Sequence, residues 1–357
     1  MSFELVAKSI LKKTAPPSQP RILIHPADLM GCGHYRLLQP AEALFKSKEF
    51  LPVASMRYAN EKEFFSMSPS HVITQRQWTP EQLRFLKNYR AYSGTTKLVC
   101  DIDDLAWLAS GKDRAKISNA TVRIFKEILS LMDRVVCSTP FLQQALQIHA
   151  QVKAHVLPNM IPGSVYSRPG ERTSERLRVA WAGGGFHQED IAILKKIVLG
   201  TVDLVDWIFV GDAPKDIAPL CLKVFRDWIP PAQWITFLRG LFIDLAVAPL
   251  RVNAFNRAKS NLRHLEWNAI GVPVIATKID PYLQNKGPLI PPLKDIGKES
   301  EHWIEVIREL ARNEPLRRAL ADDSFVSAAR FNLEGNLPVI KSAWMLPLEK
   351  KPLVTLH

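Results

Sequence analysis

FNRAKSNLRHLEWNAIGVPVIAT, residues 255–277, reads in succession as an amphipathic helix, a turn and a buried strand. Leu262, Leu265 and Ala269 recur at three- and four-residue spacing, which suits a helix with one apolar face. Gly271 and Pro273 then stop the helix and open the strand VPVIAT. Where the helix should begin, Asn256, Arg257, Lys259, Ser260 and Asn261 crowd polar groups together. The first N–H groups of a helix have no internal partner and carry the positive end of its dipole. A cation, a hydroxyl and an amide added there make a place for a phosphate or diphosphate. Glu266 follows Lys259 by seven residues, about two turns, and so shares roughly one helix face with it. A carboxylate in that position can accept two hydrogen bonds from a vicinal diol such as a ribose. The competing reading is an N-capped surface helix with one solvated glutamate.

Outward from this stretch, short apolar runs alternate with helical patterns. The runs in the first half are RILIHP (21–26), LPVASM (51–56), HVITQR (71–76), KLVCDID (97–103), RVVCST (134–139) and AHVLPN (154–159). The second half has LRVAWAG (177–183), DWIFVG (206–211), WITFLR (234–239), DLAVAPL (244–250) and VPVIAT (272–277). Most are apolar on both faces, as parallel strands between helix layers must be. The alternation predicts an α/β chain with two doubly wound parallel sheets. PNMIPGSVYSRPGERTSER (158–176), rich in Pro, Gly, Ser and charge, separates the two series as a linker. Residues 1–172 are expected to form one Rossmann-like domain and 173–324 a second, with a helix over 325–357 packing back on the first. Two such sheets facing each other across a cleft would offer a two-substrate site beyond the carboxyl ends of their strands.

The totals narrow the class. The chain of 357 residues, 47% hydrophobic and 23% charged, can build two cores. No apolar run reaches the roughly 18 residues of a membrane-spanning helix, and the start MSFELVAKSILKK lacks a signal-peptide core. Cys32, Cys100, Cys137 and Cys221 are dispersed, which suggests neither zinc nor disulfides and fits a cytoplasmic location. The net charge of +12 is concentrated in the first half, as expected of a surface that meets nucleic acid, phospholipid or a phosphorylated substrate. A merely soluble basic surface explains the same charge. AKSILKK could lie on a membrane as a basic amphipathic start, or pack as a helix on its own domain.

LEWNAIGVPVIAT resembles the E-A-x-A-x-G-x-P-V-I-A segment of nucleotide-sugar-dependent GT-B glycosyltransferases, especially the retaining family 4. DLAVAPL resembles the preceding strand, LRVAWAGGGFHQED the first strand and glycine turn of the family's donor domain, and DWIFVG its second strand. The resemblance implies a GT-B architecture and transfer of a sugar from a nucleoside-diphosphate sugar to an acceptor hydroxyl. It implies that Glu266 holds the nucleotide ribose, and that Lys259, Ser260, Asn261 and Arg257 attend the diphosphate, with Asn256 at the border of the cleft. The family's E-x7-E motif has a first Glu eight residues earlier that touches the donor sugar. That position is Ala258 here, so the sugar contact must come from elsewhere.

Other constellations carry chemistry of their own. In WAGGGFHQED, Gly183, Gly184 and Gly185 allow close backbone approach to an anion, with His187 beside them and Asp190 a helix cap. In GCGHYR, Gly31 and Gly33 would let the backbone near a ligand, while His34 and Arg36 could supply a proton-transfer group and a cation. KLVCDIDDLAW puts Asp101 and Asp103 on one side of an extended segment. Such a pair suits either a divalent cation or a general base with a raised pKa. The spacing resembles the metal motif of the other glycosyltransferase fold and the start of haloacid-dehalogenase phosphatases. Neither fits a fourth strand, so acceptor binding or base work by Asp101 or Asp103 is preferred. The competing reading pairs them with Arg or Lys. VVCSTPFLQQAL is a strand, a cap and a helix start. VLPN places Asn159 beside the cleft, and Trp181, Trp207, Trp228 and Trp234 are assigned to packing.

These readings lead to a glycosyltransferase with no metal and no cofactor beyond the nucleoside-diphosphate sugar as co-substrate. The acceptor stays open between DNA carrying a hydroxylated base and an envelope saccharide or lipid, and peripheral membrane contact and oligomeric state stay open with it. A nucleotide-sugar 2-epimerase of the same fold, and a degenerate module that binds nucleotide-sugar or polyanion, are the alternatives.

Overall fold

The computed structural model describes residues 19–105, 118–170, 176–183, 188–284 and 286–348. The chain divides into two compact units, one running to Pro158 and resuming at Leu333, the other spanning Asn159–Asn332. Each is built on a six-stranded parallel sheet.

The first sheet contains β1 (Arg21–His25), β2 (Leu51–Ala54), β3 (His71–Gln75), β4 (Lys97–Ile102), β5 (Arg134–Cys137) and β6 (Ala154–Val156), in the order β2-β1-β3-β4-β5-β6. Both faces of β1 and β3 are buried, which is why these runs read as continuous rather than alternating hydrophobic segments. Residues 31–46 form one helical run with a π turn over His34–Leu38, ending in α1 (Gln39–Lys46). Around the sheet lie α2 (Glu61–Met67), α3 (Pro80–Tyr92), α4 (Asn119–Ser130) and α5 (Pro140–Ala150). Their starts are set locally: Asn60 and Thr79 form capping boxes, and Ser118 and Thr139 accept from backbone N–H groups three residues on. Leu23, Phe64, Val72, Leu86, Tyr89 and Leu98 meet in one core cluster.

The second sheet has the order β12-β11-β10-β7-β8-β9, from β7 (Leu177–Ala182), β8 (Val205–Val210), β9 (Lys223–Phe225), β10 (Leu245–Ala248), β11 (Val274–Thr277) and β12 (Leu289–Ile290). Its helices are α6 (Gln188–Leu199), α7 (Pro231–Gly240), α8 (Ala254–Ala258), α9 (Leu262–Asn268), α10 (Ile296–Arg312) and α11 (Glu314–Ala328). Trp181, Trp207 and Trp303 are fully buried in its core with Val179, Phe209 and Leu245.

Three expectations change. WITFLR is helical: Pro230 and Pro231 open α7, and Ile235 and Leu238, three apart, are its buried residues. A helical period facing the core overrides the β-rich composition. The edge strands β9 and β12, of three and two residues, are too short to announce themselves as patterns. Trp228 is exposed rather than packed.

Residues 159–170, placed in the linker from the sequence, belong with the second unit. Ile161 pairs with Asn332, Tyr166 donates to the Ala328 carbonyl at 2.7 Å, and the Ser167 N–H donates to the Ala269 carbonyl at 3.2 Å. After α11 the chain returns to the first unit as α12 (Leu337–Trp344), which contacts α1 and β5 and buries Trp344 completely. No described helix is long and apolar enough to cross a membrane.

Candidate functional site

In the second unit β7 lies between β8 and β10, so the chain leaves the sheet in opposite directions on the two sides of β7. A crevice at such a reversal, beyond the carboxyl ends of the strands, is where open α/β sheets take their ligands. Gly183 follows β7, and the loop 249–261 follows β10, at that point.

The loop is held from below. Thr277 at the end of β11 accepts the Leu250 N–H at 2.9 Å. Asp190 in α6 accepts the Arg251 N–H at 2.6 Å and the Asn256 amide at 3.1 Å, and that amide also donates to the Arg251 carbonyl at 2.8 Å. Asn256 is therefore a buried brace of the loop. Asn253 caps α8 by accepting the Asn256 N–H at 2.7 Å.

The single helix expected from Asn256 onward is two short ones. Lys259 is extended, with φ −61° and ψ 158°, so α8 stops at Ala258 and α9 begins at Leu262. Lys259, Ser260 and Asn261 occupy the break, and the shared helix face proposed for Lys259 and Glu266 does not exist. The Lys259 ammonium stands 4.8 Å from the centroid of the Phe255 ring, and Ser260 Oγ accepts the Asn159 amide at 2.7 Å. Arg257 turns away to Asp280, Nε to Oδ2 at 2.6 Å. Arg263 is the cation beside the glycine turn: a Cβ built on Gly183 would lie 3.2 Å from its Nη2 and 2.6 Å from the Trp181 ring. Gly184, Gly185 and His187 lie outside the described residues.

Glu266 is buried on α9 among His264, Leu265, Trp267 and Asn268. The His264 ring lies 4.3 Å from that of Tyr282, and burial, aided by Arg263, pushes His264 down to about 3. Burial pushes the Tyr282 phenol up to about 12; Arg263 opposes this, while Asp190 and Glu266 add to it. Gly271, at φ +74°, makes the left-handed turn that ends the helical stretch.

The acidic cluster of the first unit is committed to arginines. Arg36 Nε and Nη2 donate to the two oxygens of Asp101 at 2.9 and 2.7 Å, and Nη1 donates to the Leu157 carbonyl at 2.7 Å. Asp101 is completely buried and Arg36 nearly so. Burial raises the Asp101 carboxyl above its ordinary value against the pull of Arg36. Both carboxyl oxygens accept from the guanidinium, which keeps its proton. With both oxygens bonded and no solvent path, Asp101 is not placed to take an acceptor's proton, and Arg36 is not a cleft cation. Arg76 grips both oxygens of Asp103 from a left-handed backbone position at φ +49°. Asp103 is the less buried of the two carboxylates. His34 sits in the π turn, its pKa lowered by burial. Gly33 is required by packing, since a Cβ there would meet the Asp28 carbonyl oxygen at 1.8 Å, whereas Gly31 faces open space. Among the described residues no three His, Cys, Asp or Glu side chains are grouped to hold a metal.

No sequence-family model matches the chain, and no curated protein sequence matches it. Solved structures do. Sucrose-phosphate synthase from Thermosynechococcus elongatus superposes with a TM-score of 0.65 at 14% identity, covering 91% of this chain and 98% of its own. Anabaena HepE in complex with UDP-glucose gives 0.63 at 13% identity, covering 90% and 98%. The lipopolysaccharide outer core galactosyltransferase WaaB gives 0.55 at 12% identity, covering 90% and 99%. The fold is the GT-B fold of glycosyltransferases.

Proposed function

We propose that the chain is a glycosyltransferase that moves a sugar from a nucleoside-diphosphate sugar to an acceptor hydroxyl. One observation carries the reading. At the strand-order reversal of the second sheet, Gly183 follows β7 with Arg263 against it, the Lys259–Asn261 break lies in the loop after the neighbouring β10, and Glu266 is buried on the next helix. A diphosphate suits the cations and polar groups gathered there, and a ribose diol suits the carboxylate. The likeness to HepE in complex with UDP-glucose supports a nucleotide-sugar as the ligand.

When the anomeric C–O bond breaks, its electrons pass to the diphosphate, and Lys259, Ser260, Asn261 and Arg263 stabilise the growing charge. Following family 4, the acceptor oxygen bonds to the anomeric carbon on the face the diphosphate leaves, so configuration is retained, and the acceptor proton passes to the departing diphosphate. Asp103 and His34 serve the acceptor, whose hydroxyl is presented by the basic first unit. A polyanion such as DNA with a hydroxylated base suits that charge best, with an envelope saccharide or lipid as the second choice. No metal takes part, because Asp101 and Asp103 are held by Arg36 and Arg76.

The test is thermal unfolding with a panel of nucleoside diphosphates and their sugar conjugates, with Glu266→Ala as control. A ligand at about 100 times its dissociation constant adds about 2.7 kcal/mol of stability. A shift from one nucleotide, lost in the variant, supports the donor site. No shift from any refutes it and favours the degenerate module, for which Ala258 is the motive; release of free nucleotide without acceptor would favour the 2-epimerase.

A further inference from the structure

Beside the loop 249–261, between the carboxyl ends of β10 and β12, lies a cavity of about 290 Å³. Its base is Glu299 in the first turn of α10, a carboxylate that is only 4% exposed. Glu299 Oε2 accepts the Leu293 N–H at 3.0 Å and lies 3.7 Å from Arg251 Nη1. Oε1 bonds no described group, and the Arg251 guanidinium makes no hydrogen bond among the described residues; both side chains line the cavity. Oε1 keeps its lone pairs for a donor that enters the cavity, and the Arg251 guanidinium keeps its N–H groups for an acceptor there. Leu250, Val252 and Pro292 form an apolar wall, and Lys294 stands at the rim.

The chemistry selects a class of ligand. An anion would be repelled by Glu299, and a cation by Arg251 and Lys294. A neutral polyhydroxyl ring satisfies both: one hydroxyl donates to Glu299 Oε1 and accepts from Arg251, while the C–H face of the ring lies on Leu250, Val252 and Pro292. The volume, at the small end for ligand sites, suits one monosaccharide. The position suits the donor. Arg251 is fixed by the same Asp190 that braces Asn256, and the loop runs from Val252 to Lys259 within seven residues. Ala258 brings no side-chain polar atom to that loop. We propose that this cavity holds the sugar ring of the nucleotide-sugar donor, with Glu299 and Arg251 reading its hydroxyls. The proposal rests on the glycosyltransferase reading.

Calorimetric titration separates the two. UDP, GDP, dTDP and ADP and their common hexose conjugates are titrated into the full chain, into Glu299→Gln, and into Val252→Trp. The amide of the first keeps an acceptor for Leu293, and the second fills the cavity from an exposed position. For the nucleotide that binds, both variants should weaken the sugar conjugate fivefold or more and change the free diphosphate less than twofold. Equal losses for conjugate and free diphosphate, or no loss in either variant, overturn the cavity assignment and leave the donor site standing. Binding of no nucleotide by the parent chain sinks both. Should Glu299→Gln fail to fold, Val252→Trp decides alone.

Discussion

Replacing Asp101 by Ala would test whether the most conspicuous carboxylate of the chain is structural. The change strips the carboxylate from the Arg36 guanidinium, which is 2% exposed and still donates to the Leu157 carbonyl. Breaking a buried ion pair from one side costs about 3–5 kcal/mol, because an uncompensated charge stays in the interior. For a unit of this size about 1 kcal/mol moves the midpoint by about 2–4 °C, so the expected fall is about 6–20 °C. The double variant Arg36→Met with Asp101→Leu fills the site with apolar side chains and should recover most of the loss. The assay is thermal and urea unfolding, followed by far-ultraviolet circular dichroism, of Asp101→Ala and of the cycle formed by the parent, Arg36→Met, Asp101→Leu and their double, with the coupling read from the cycle's differences. A stability of Asp101→Ala within about 1 kcal/mol of the parent would refute the reasoning. So would a double variant no better than the single. Asp101→Asn with intact stability and lost turnover would return the residue to catalysis.

Acid should destabilise the chain through its buried neutral histidines. His264 and His25 are pushed down to about 3 and about 4 by burial, so below pH ~6.5 the unfolded chain binds protons that the folded one refuses. Stability is complete above that pH and falls by up to about 1.4 kcal/mol per unit for each histidine as pH drops towards the folded values. His264→Phe should flatten the profile by one such increment between pH 6.5 and 4.5; parallel profiles would contradict the account. Trp344→Ala should cost about 3–5 kcal/mol, since the indole is wholly buried against the first unit, and a smaller loss would mean that α12 docks loosely. Lys259→Ala should lower turnover more than donor affinity, and equal losses would reduce the residue to ground-state binding. Chelation by EDTA should leave turnover intact; abolished activity, restored by a divalent ion, would show that the two aspartates leave their arginines to hold a metal.

Sequence alone determined the class of fold. Strands buried on both faces, such as RILIH and HVITQ, must lie between helix layers, and eleven apolar runs alternating with helical patterns leave few other architectures. Ten of those runs contain strands, and the exception, WITFLR, misleads because aromatic and β-branched residues at helical spacing resemble a strand over so short a window. Glu266 and the polar crowd before it were legible as a cluster for the same local reason, namely spacing along the chain. Partnership was not legible. Arg36 finds Asp101 across 65 residues, Arg76 finds Asp103 across 27, and Arg257 finds Asp280 across 23; each pairing decides whether a charge is spent on structure or left for a ligand. The break at Lys259 was hidden too, because the residues around it are acceptable helix formers, and the hold of Asp190 on Arg251 and Asn256 belongs to another helix. Glu299 gave no signal as one acidic residue in an amphipathic helix. Only packing brings it beside Arg251 at the wall of a cavity, and that placement, set by contacts distant in sequence, is what makes an ordinary carboxylate a candidate for a ligand.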